Sequence, residues 1–240
     1  MNGRKVAVLV VAAALASAIL ICPASACAVP FSDVSGGEYY SEAAYWLGRA
    51  GIFAGDEEGR LNAGAVFSRA HMAVVLARIT GQEGLTEVLS THQTGWVDDV
   101  LIPPWARGAF ALAEARGWFV GRADGTVAPD APLTWAEIAM LLVRITDNEH
   151  LLSGEWPQSA VDAARAMGAF SGLPEGPVPD LPVLRGQVVV VIWAAVRTPT
   201  RLGLSDEGES LLSLHHSAIA EVYRLRDRDE SGGSLTVEAA

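Results

Sequence analysis

Residues 117–121 read GWFVG, and the same Gly-x-Phe-x-Gly pattern recurs as GIFAG at 51–55 and as GAFSG at 168–172. In each copy an aromatic residue precedes the first glycine by twelve positions. An alanine lies four positions after this aromatic residue, and an apolar residue lies five positions after it. This spacing is typical of one face of a helix. Each copy is therefore predicted to open with a helix of about 11 residues that its first glycine ends in the left-handed conformation. The residues concerned are Tyr39, Ala43 and Ala44; Trp105, Ala109 and Phe110; Trp156, Ala160 and Val161.

A second helix is predicted in every copy. A turn-rich segment follows each Gly-x-Phe-x-Gly unit, and an apolar stretch follows the turn: FSRAHMAVVLARIT, LTWAEIAMLLVRIT and VLRGQVVVVIWAAV. The third stretch, taken alone, is rich enough in valine to indicate a buried strand. Its alignment with the other two favours a helix that is apolar on all sides because it is buried. The repeated unit is thus helix, tight turn, loop, helix.

The second helix of each copy begins at a capping position. Thr134 followed by Glu137 is a capping box, in which the threonine oxygen accepts from a backbone amide and the glutamate reaches back. Helix capping alone is sufficient reason for these two residues. The other copies hold Ser68 with His71 and Leu184 with Gln187 at the same places.

Arginine follows the cap in two of the three copies. Arg69 and Arg185 would project from a helix N-terminus, where free amides and the helix dipole favour an anion. Each is either an ordinary solvated side chain or a ligand contact. All cationic side chains beyond Lys5 are arginines, whose planar guanidinium can bind a carboxylate or phosphate through two hydrogen bonds.

These units resemble S-layer homology (SLH) repeats, whose family pattern runs from Phe-x-Asp-Val through Gly-Ile-x-x-Gly to Thr-Arg-Ala-Glu. The resemblance covers about residues 31–197 and divides them into repeats at 31–81, 96–146 and 150–197, followed by a C-terminal helix and acidic tail at 198–240. The third repeat is degenerate. The matching motifs are FSDV (31–34), GIFAG and SRAH; VDDV (97–100), WA, GWFVG and TWAE; Trp156, GAFSG and LRGQ.

The resemblance implies a fold and a function. The fold would be mainly α, with three helix-loop-helix repeats in a pseudo-threefold spindle around a central three-helix bundle. The protein would be secreted to the cell wall and cell surface, where S-layers form. It would bind an anionic secondary cell-wall polysaccharide in grooves between repeats and so anchor itself without a covalent bond. The alternative is a surface scaffold whose partner is another protein.

The resemblance also implies roles for particular residues. Arg69 and Arg185 would contact a carboxylate or ketal of the polymer. Trp135 stands where the second repeat should have arginine, and it offers a sugar-stacking face in place of a cation. His150 occupies the aspartate position of the third repeat, so at most two grooves are expected to be complete. Gly55, Gly121 and Gly172 would allow close approach of the polymer. Asp33 and Asp99 would fix the start of their repeats and contact sugar hydroxyls.

The first 26 residues have the features of a secretory signal peptide: Arg4 and Lys5, an apolar run at 6–22, and a small-residue site, Ala24-Ser25-Ala26. A retained membrane anchor is the alternative, since about 17 apolar residues is the lower limit for spanning a bilayer. Lipid attachment to Cys27 is a further possibility. Cleavage would leave one thiol, no internal disulfide and no stable membrane insertion.

Charge and residue types exclude two other classes of function. The formal charge is −11 and becomes more negative when Arg4 and Lys5 are removed, so nucleic acid is not an expected partner. An acidic polymer is still acceptable, because repulsion between exposed charges is screened beyond about 8 Å, whereas an arginine contact acts locally. The five histidines are scattered and no nucleophile has a base beside it, so no enzyme is predicted.

The C-terminal region predicts an amphipathic helix at 206–226 and then a possible calcium loop. Asp227, Asp229, Ser231 and Glu238 fall at ligand positions of an EF-hand loop. The polar Ser234 at a usually apolar position and the missing exit helix count against it. A frayed acidic tail is the alternative, so either no cofactor or calcium alone is expected.

Overall fold

A computed structural model describes residues 30–197, and the predicted signal peptide, Cys27, the C-terminal helix and the calcium loop lie outside this range. Within it the chain is mainly α, as predicted, with seven α-helices, two short 3-10 turns and isolated bridges in place of strands. The helices are α1 (Ser41–Arg49), α2 (Arg69–Ile79), α3 (Glu83–Val88), α4 (Pro104–Ala115), α5 (Trp135–Ile145), α6 (Gln158–Ala166) and α7 (Arg185–Ala195), and the 3-10 turns are Asp99–Leu101 and Glu149–Leu151.

The first helix of each repeat is α1, α4 or α6. The alanine and apolar pairs that predicted them are all buried, and each helix is followed by a glycine in the left-handed region, with φ of 72° at Gly51, 68° at Gly117 and 76° at Gly168. The aromatic residues do not share the buried face, because two of them precede their helix and the third stands in its first turn. They are exposed to 45% at Tyr39, 56% at Trp105 and 55% at Trp156.

The second helices are α2, α5 and α7. The valine-rich third stretch is helical, and its four consecutive valines, 188–191, are all buried. Only half of a capping box exists at its start, where the amide of Leu184 donates to Oε1 of Gln187 at 2.9 Å. Thr134 and Glu137 of α5 form the complete box.

Three short segments preceding the second helices pair with one another in a ring. The amide of Phe67 donates to the carbonyl of Val183 at 3.0 Å, the amide of Val183 to Leu133 at 2.9 Å, and the amide of Leu133 to Phe67 at 2.8 Å. All three side chains are buried. We call these residues the backbone ring.

The helices follow the same cyclic order. The second helix of each repeat packs on the first helix of the next, so that α2 lies on α4, α5 on α6 and α7 on α1. This order agrees with a pseudo-threefold arrangement; the complete spindle around a central bundle stays a prediction.

The segment between the first two repeats adds α3, which packs on α4. The helices approach most closely at Gly108, where a Cβ atom would overlap the carbonyl oxygen of Thr86 and lie 2.6 Å from its carbonyl carbon. The contact leaves no room for a side chain at this position.

Ala128 has a left-handed backbone conformation, with φ of 47°. This conformation costs an L-residue about 1–2 kcal/mol, whereas glycine adopts it freely but loses more entropy on folding. We therefore expect Ala128→Gly to raise the free energy of unfolding by about 0.5 kcal/mol, measured by denaturant unfolding. Ala131→Gly, at a position without positive φ, should lower it, and equal losses in both variants would contradict the strain at Ala128.

Candidate functional site

The first groove is a cavity of about 870 Å³ against the first repeat. The turn at Gly55 and helix α2 form its wall, while α7 and α4 of the other repeats contribute Arg185 and Trp105. It therefore lies at a junction between repeats. Its polar and aromatic lining includes Asp33, Asp56, His71, Arg78, Trp105 and Arg185.

Arg185 is the central cation of the first groove. Its Nε donates to the carbonyl of Leu61 at 2.7 Å and its Nη2 to that of Ala54 at 3.1 Å, and the guanidinium lies 5.7 Å from the ring centroid of Phe67. Burial lowers the pKa of Arg185, and the charges of nearby carboxylates oppose this, but an arginine remains protonated at physiological pH. Among residues 30–197 no carboxylate forms an ion pair with it. Its charge is thus held in place without being neutralised by direct contact.

The second groove is a cavity of about 420 Å³ at the equivalent place on the second repeat. Arg69 replaces Arg185 there: its Nε donates to the carbonyl of Val127 at 2.6 Å, and its guanidinium lies 5.0 Å from the ring centroid of Phe119. Unlike Arg185, Arg69 also forms an ion pair, with 2.6 Å between its Nη1 and Oε1 of Glu137. Only 5% of Arg69 is exposed, so it is a buried, paired cation. The exposed ring of Trp156 lies at this groove.

Each groove holds a second arginine that the sequence analysis missed. Nη1 of Arg78 donates to the carbonyl of Ile52 at 3.4 Å in the first groove, and Nη1 of Arg144 donates to the carbonyl of Trp118 at 3.0 Å in the second. Burial lowers the pKa of Arg144, which the charge of Glu149 opposes. The shared Arg-Ile-Thr ending of the first two apolar stretches was the signal that could have identified this pair.

Arg122 is a further missed cation, at the second groove. It directly follows Gly121, is exposed, and has no ion pair within the described range. The first groove has Asp56 at the same place. Hydrogen bonds from the backbone and side chain of Arg60 lower the pKa of Asp56 and keep it ionised. The charge at this loop position is therefore opposite in the two grooves.

The third junction lacks both arginines. Trp135 replaces the first and Ala194 the second. The ring of Trp135 packs edge-on against Phe170 with 5.8 Å between centroids, and only 4% of the residue is exposed. The expectation that Trp135 offers an open stacking face is therefore wrong. Neither Trp135 nor Gly172 lines the first or second groove.

The amides at the start of the second helices are not free, which overturns one argument from the sequence. The amide of Arg69 donates to the carbonyl of Ala131 at 3.1 Å, and the next amide, of Ala70, donates to Pro129 at 2.9 Å. Equivalent pairs exist at the start of α5 and α7. The amides serve the contact between repeats, and only the guanidinium groups remain for an anion.

The predicted equivalence of Asp33 and Asp99 is wrong by one residue. Asp33 accepts hydrogen bonds from the amides of Leu61 and Asn62 at 2.6 and 2.8 Å, and Asp98 accepts the equivalent pair from Val127 and Ala128, both at 2.7 Å. Asp99 instead pairs with Arg107 at 3.0 Å. Trp96, the residue directly before the VDDV motif, is the counterpart of Phe31. This aromatic residue was the signal that aligns Asp98 with Asp33.

Two of the predicted site glycines have a structural reason. A Cβ atom on Gly55 would lie 2.8 Å from the carbonyl carbon of Gly59, and one on Gly121 would lie 2.9 Å from the ring of Trp96. Both line their groove. Glycine therefore lets the turn close on itself at position 55 and lets the ring of Trp96 pack against the turn at position 121.

No group of residues suited to hold a metal ion occurs between residues 30 and 197. No helix in the same range is long and apolar enough to cross a bilayer.

The model of the S-layer homology domain matches residues 30–73 and 98–139. Over 188 residues the chain is 30% identical to the surface-layer 125 kDa protein of Lysinibacillus sphaericus, covering 71% of this chain and 15% of that protein. It is 26% identical over 149 residues to cell surface glycoprotein 1 of Acetivibrio thermocellus, covering 54% of this chain and 6% of that protein. The chain spans less than a quarter of the length of these curated relatives.

The matched segments, the helical repeats and the relatives agree on one class of molecule, a structural cell-surface protein. Two segments of the chain, residues 30–73 and 98–139, are S-layer homology domains. The third, degenerate repeat at 150–197 stays a prediction.

Proposed function

We propose that the first and second grooves bind an anionic secondary polysaccharide of the bacterial cell wall and thereby anchor the chain to the wall. The observation that carries this proposal is the duplicated pair of arginines, one pair in each groove, held by equivalent backbone carbonyls. A carboxylate or ketal on the polymer would contact the guanidinium groups, and an exposed tryptophan at each groove offers a face for a sugar ring. Arg69, Gly121 and Trp156 belong to the second groove, and Asp33, Gly55, Trp105 and Arg185 to the first.

The energetics support binding despite the acidity of the chain. A hydrogen bond to a charged group contributes about 1.5–3 kcal/mol, and about 1.4 kcal/mol corresponds to a tenfold change in affinity. Two grooves on one polymer would also add avidity. The third junction, which has no arginine at either position, does not take part.

A test of the cation should use Arg185, because no carboxylate among residues 30–197 pairs with it and would be left unpaired by its removal. We expect Arg185→Gln to weaken binding to cell-wall sediment about tenfold or more, with a larger difference from the wild type at low salt than at high salt. The sediment carries its secondary polymer in one arm and has been stripped of it in the other. Equal binding of the wild type to both sediments would contradict the proposed function.

The aromatic contact has a matched control. We expect Trp105→Ala to weaken binding to the polymer-bearing sediment about five- to tenfold, while Tyr39→Ala, at the equivalent position but on neither groove, leaves it unchanged. Both side chains are about half exposed, so neither change should unfold the protein. Equal losses in both variants would assign the effect to something other than the groove.

A protein-binding scaffold is the second candidate function. Val97, Val100 and Leu101 lie close together in the chain around the first 3-10 turn and are 76%, 84% and 63% exposed. Exposed apolar patches mark interaction surfaces. Calcium tuning through Asp227, Asp229, Ser231 and Glu238 belongs to this alternative, and those residues lie outside the described range. If the chain binds neither sediment, the scaffold is the better assignment.

A further inference from the structure

His71 stands in the first groove where Glu137 stands in the second. Each is the third residue of its second helix, α2 or α5. The imidazole of His71 lies between the rings of Phe67 and Trp105, with centroid distances of 5.5 and 5.1 Å, and its Nδ1 is 2.7 Å from Oγ of Ser68. The residue beside the groove arginine is therefore a carboxylate in one groove and an imidazole in the other.

This difference decides how much of each arginine's charge is available. Glu137 contacts Arg69 directly and neutralises it. His71 cannot do the same for Arg185, because an imidazole is either neutral or positive. Within the described residues the central cation is therefore paired with a carboxylate in the second groove and not in the first.

The surroundings of His71 include few other charges. Helix α7 contributes Arg185, the loop before α5 contributes Asp130, and α4 contributes the neutral ring of Trp105. Burial lowers the pKa of His71, the charge of Arg185 lowers it further, and Asp130 opposes both. At neutral pH the imidazole of the unliganded groove is accordingly uncharged.

An anion bound at Arg185 would reverse this balance. It offsets the repulsion from the guanidinium and attracts a proton to His71, so it raises the pKa of the imidazole. By linkage, an anion that raises this pKa binds more tightly when His71 is protonated. The affinity of the first groove should therefore rise as the pH falls from neutral toward the lowered pKa of His71.

We propose that His71 makes the first groove an acid-strengthened anion site, whereas the second groove, with its arginine paired to Glu137, has an affinity that does not depend on pH between about 5.5 and 7.5. This inference rests on the proposed function. It makes His71 a specificity-determining residue of the first groove: neutral at higher pH, and at lower pH a cation in addition to Arg185 and Arg78.

The test compares binding of the full mature chain to polymer-bearing wall sediment at about pH 7.5 and about pH 5.5. The wild type should bind about five- to tenfold more tightly at the lower pH. His71→Gln should lose most of the difference in affinity between the two pH values, whatever its affinity at the higher pH. His71→Glu, which copies the second groove, should bind more weakly than the wild type at both pH values.

Two controls separate the possible failures. His92→Gln, on a histidine that lines neither groove, should keep the full pH dependence. The His71 imidazole resonance of the wild type should titrate at higher pH when solubilised polymer is added, a result that needs no variant. If His71→Gln keeps the wild-type pH dependence, the inference is wrong while the proposed function stands. If the wild type binds polymer-bearing and stripped sediment equally at both pH values, the proposed function itself fails.

Discussion

Gly108→Ala is expected to lower the free energy of unfolding by about 3 kcal/mol. In an ordinary helix the same change is favourable by about 0.5–1 kcal/mol, so the sign of the effect is diagnostic. The reason for the reversal is the backbone of Thr86, which occupies the space that the new Cβ atom needs. Helix α3 would have to move away from α4, and backbone cannot rotate aside as a flexible side chain can.

The matched control for this change is Gly84→Ala, on α3 itself. A Cβ atom at Gly84 would meet nothing within 4 Å, so this variant should be slightly more stable than the wild type. The shift in the urea midpoint relative to the wild type measures the change in stability of the Gly108→Ala and Gly84→Ala proteins. A Gly108→Ala protein as stable as the wild type would mean that α3 does not pack against α4 as described.

Arg69→Ala is expected to cost about 3–5 kcal/mol of folding stability, because it leaves Glu137 in a partly buried position without its partner. It also removes the hydrogen bond from Nε to the carbonyl of Val127. From the sequence alone Arg69 was expected to be a removable surface side chain, and its burial makes that expectation wrong. Loss of wall binding in this variant would reflect unfolding as well as lost contacts.

A pair of variants isolates the ion pair. Arg69→Met with Glu137→Gln should be more stable than Arg69→Met alone, since the glutamine leaves no unpaired charge and can still cap α5. Arg165→Ala, which removes an exposed ion pair with Asp162, should change little. Thermal unfolding of the wild type and these three variants measures the differences in stability. An Arg69→Met midpoint close to that of the wild type would contradict a buried ion pair.

The sequence predicted the helices better than the contacts between repeats. Glycines 51, 117 and 168 and the buried alanines follow from local rules of helix formation, and the alignment of three copies identified α7 despite its valines. Those rules act within a few residues. The carbonyls that receive the Arg69 and Ala70 amides are about sixty residues away in the chain, so no local pattern could show that the helix start is occupied.

The candidate site was predicted in part for the same reason. Both cap-following arginines line a groove, and each lies in the groove of a different repeat from its own. The role of Asp98 was assigned to Asp99 because two adjacent aspartates fit one short motif, and only the pairing with Val127 and Ala128 distinguishes them. Arg122 was missed because an arginine in a loop has no distinctive local signature, whereas Arg78 and Arg144 were missed although the shared Arg-Ile-Thr ending of the two helices marked them.

The backbone ring makes residues 150–197 necessary to the rest of the fold, although the motifs in this segment are incomplete. Val183 accepts a hydrogen bond from the amide of Phe67 and donates one to the carbonyl of Leu133. Deleting residues 150–197 would therefore break the backbone ring and leave a buried polar group without a partner in each of the other two repeats. In an open linear array a terminal unit can be trimmed with a proportionate loss. Here the loss would fall on every unit at once, because residues 150–197 supply both the member that closes the ring and Arg185, the central cation of the first groove.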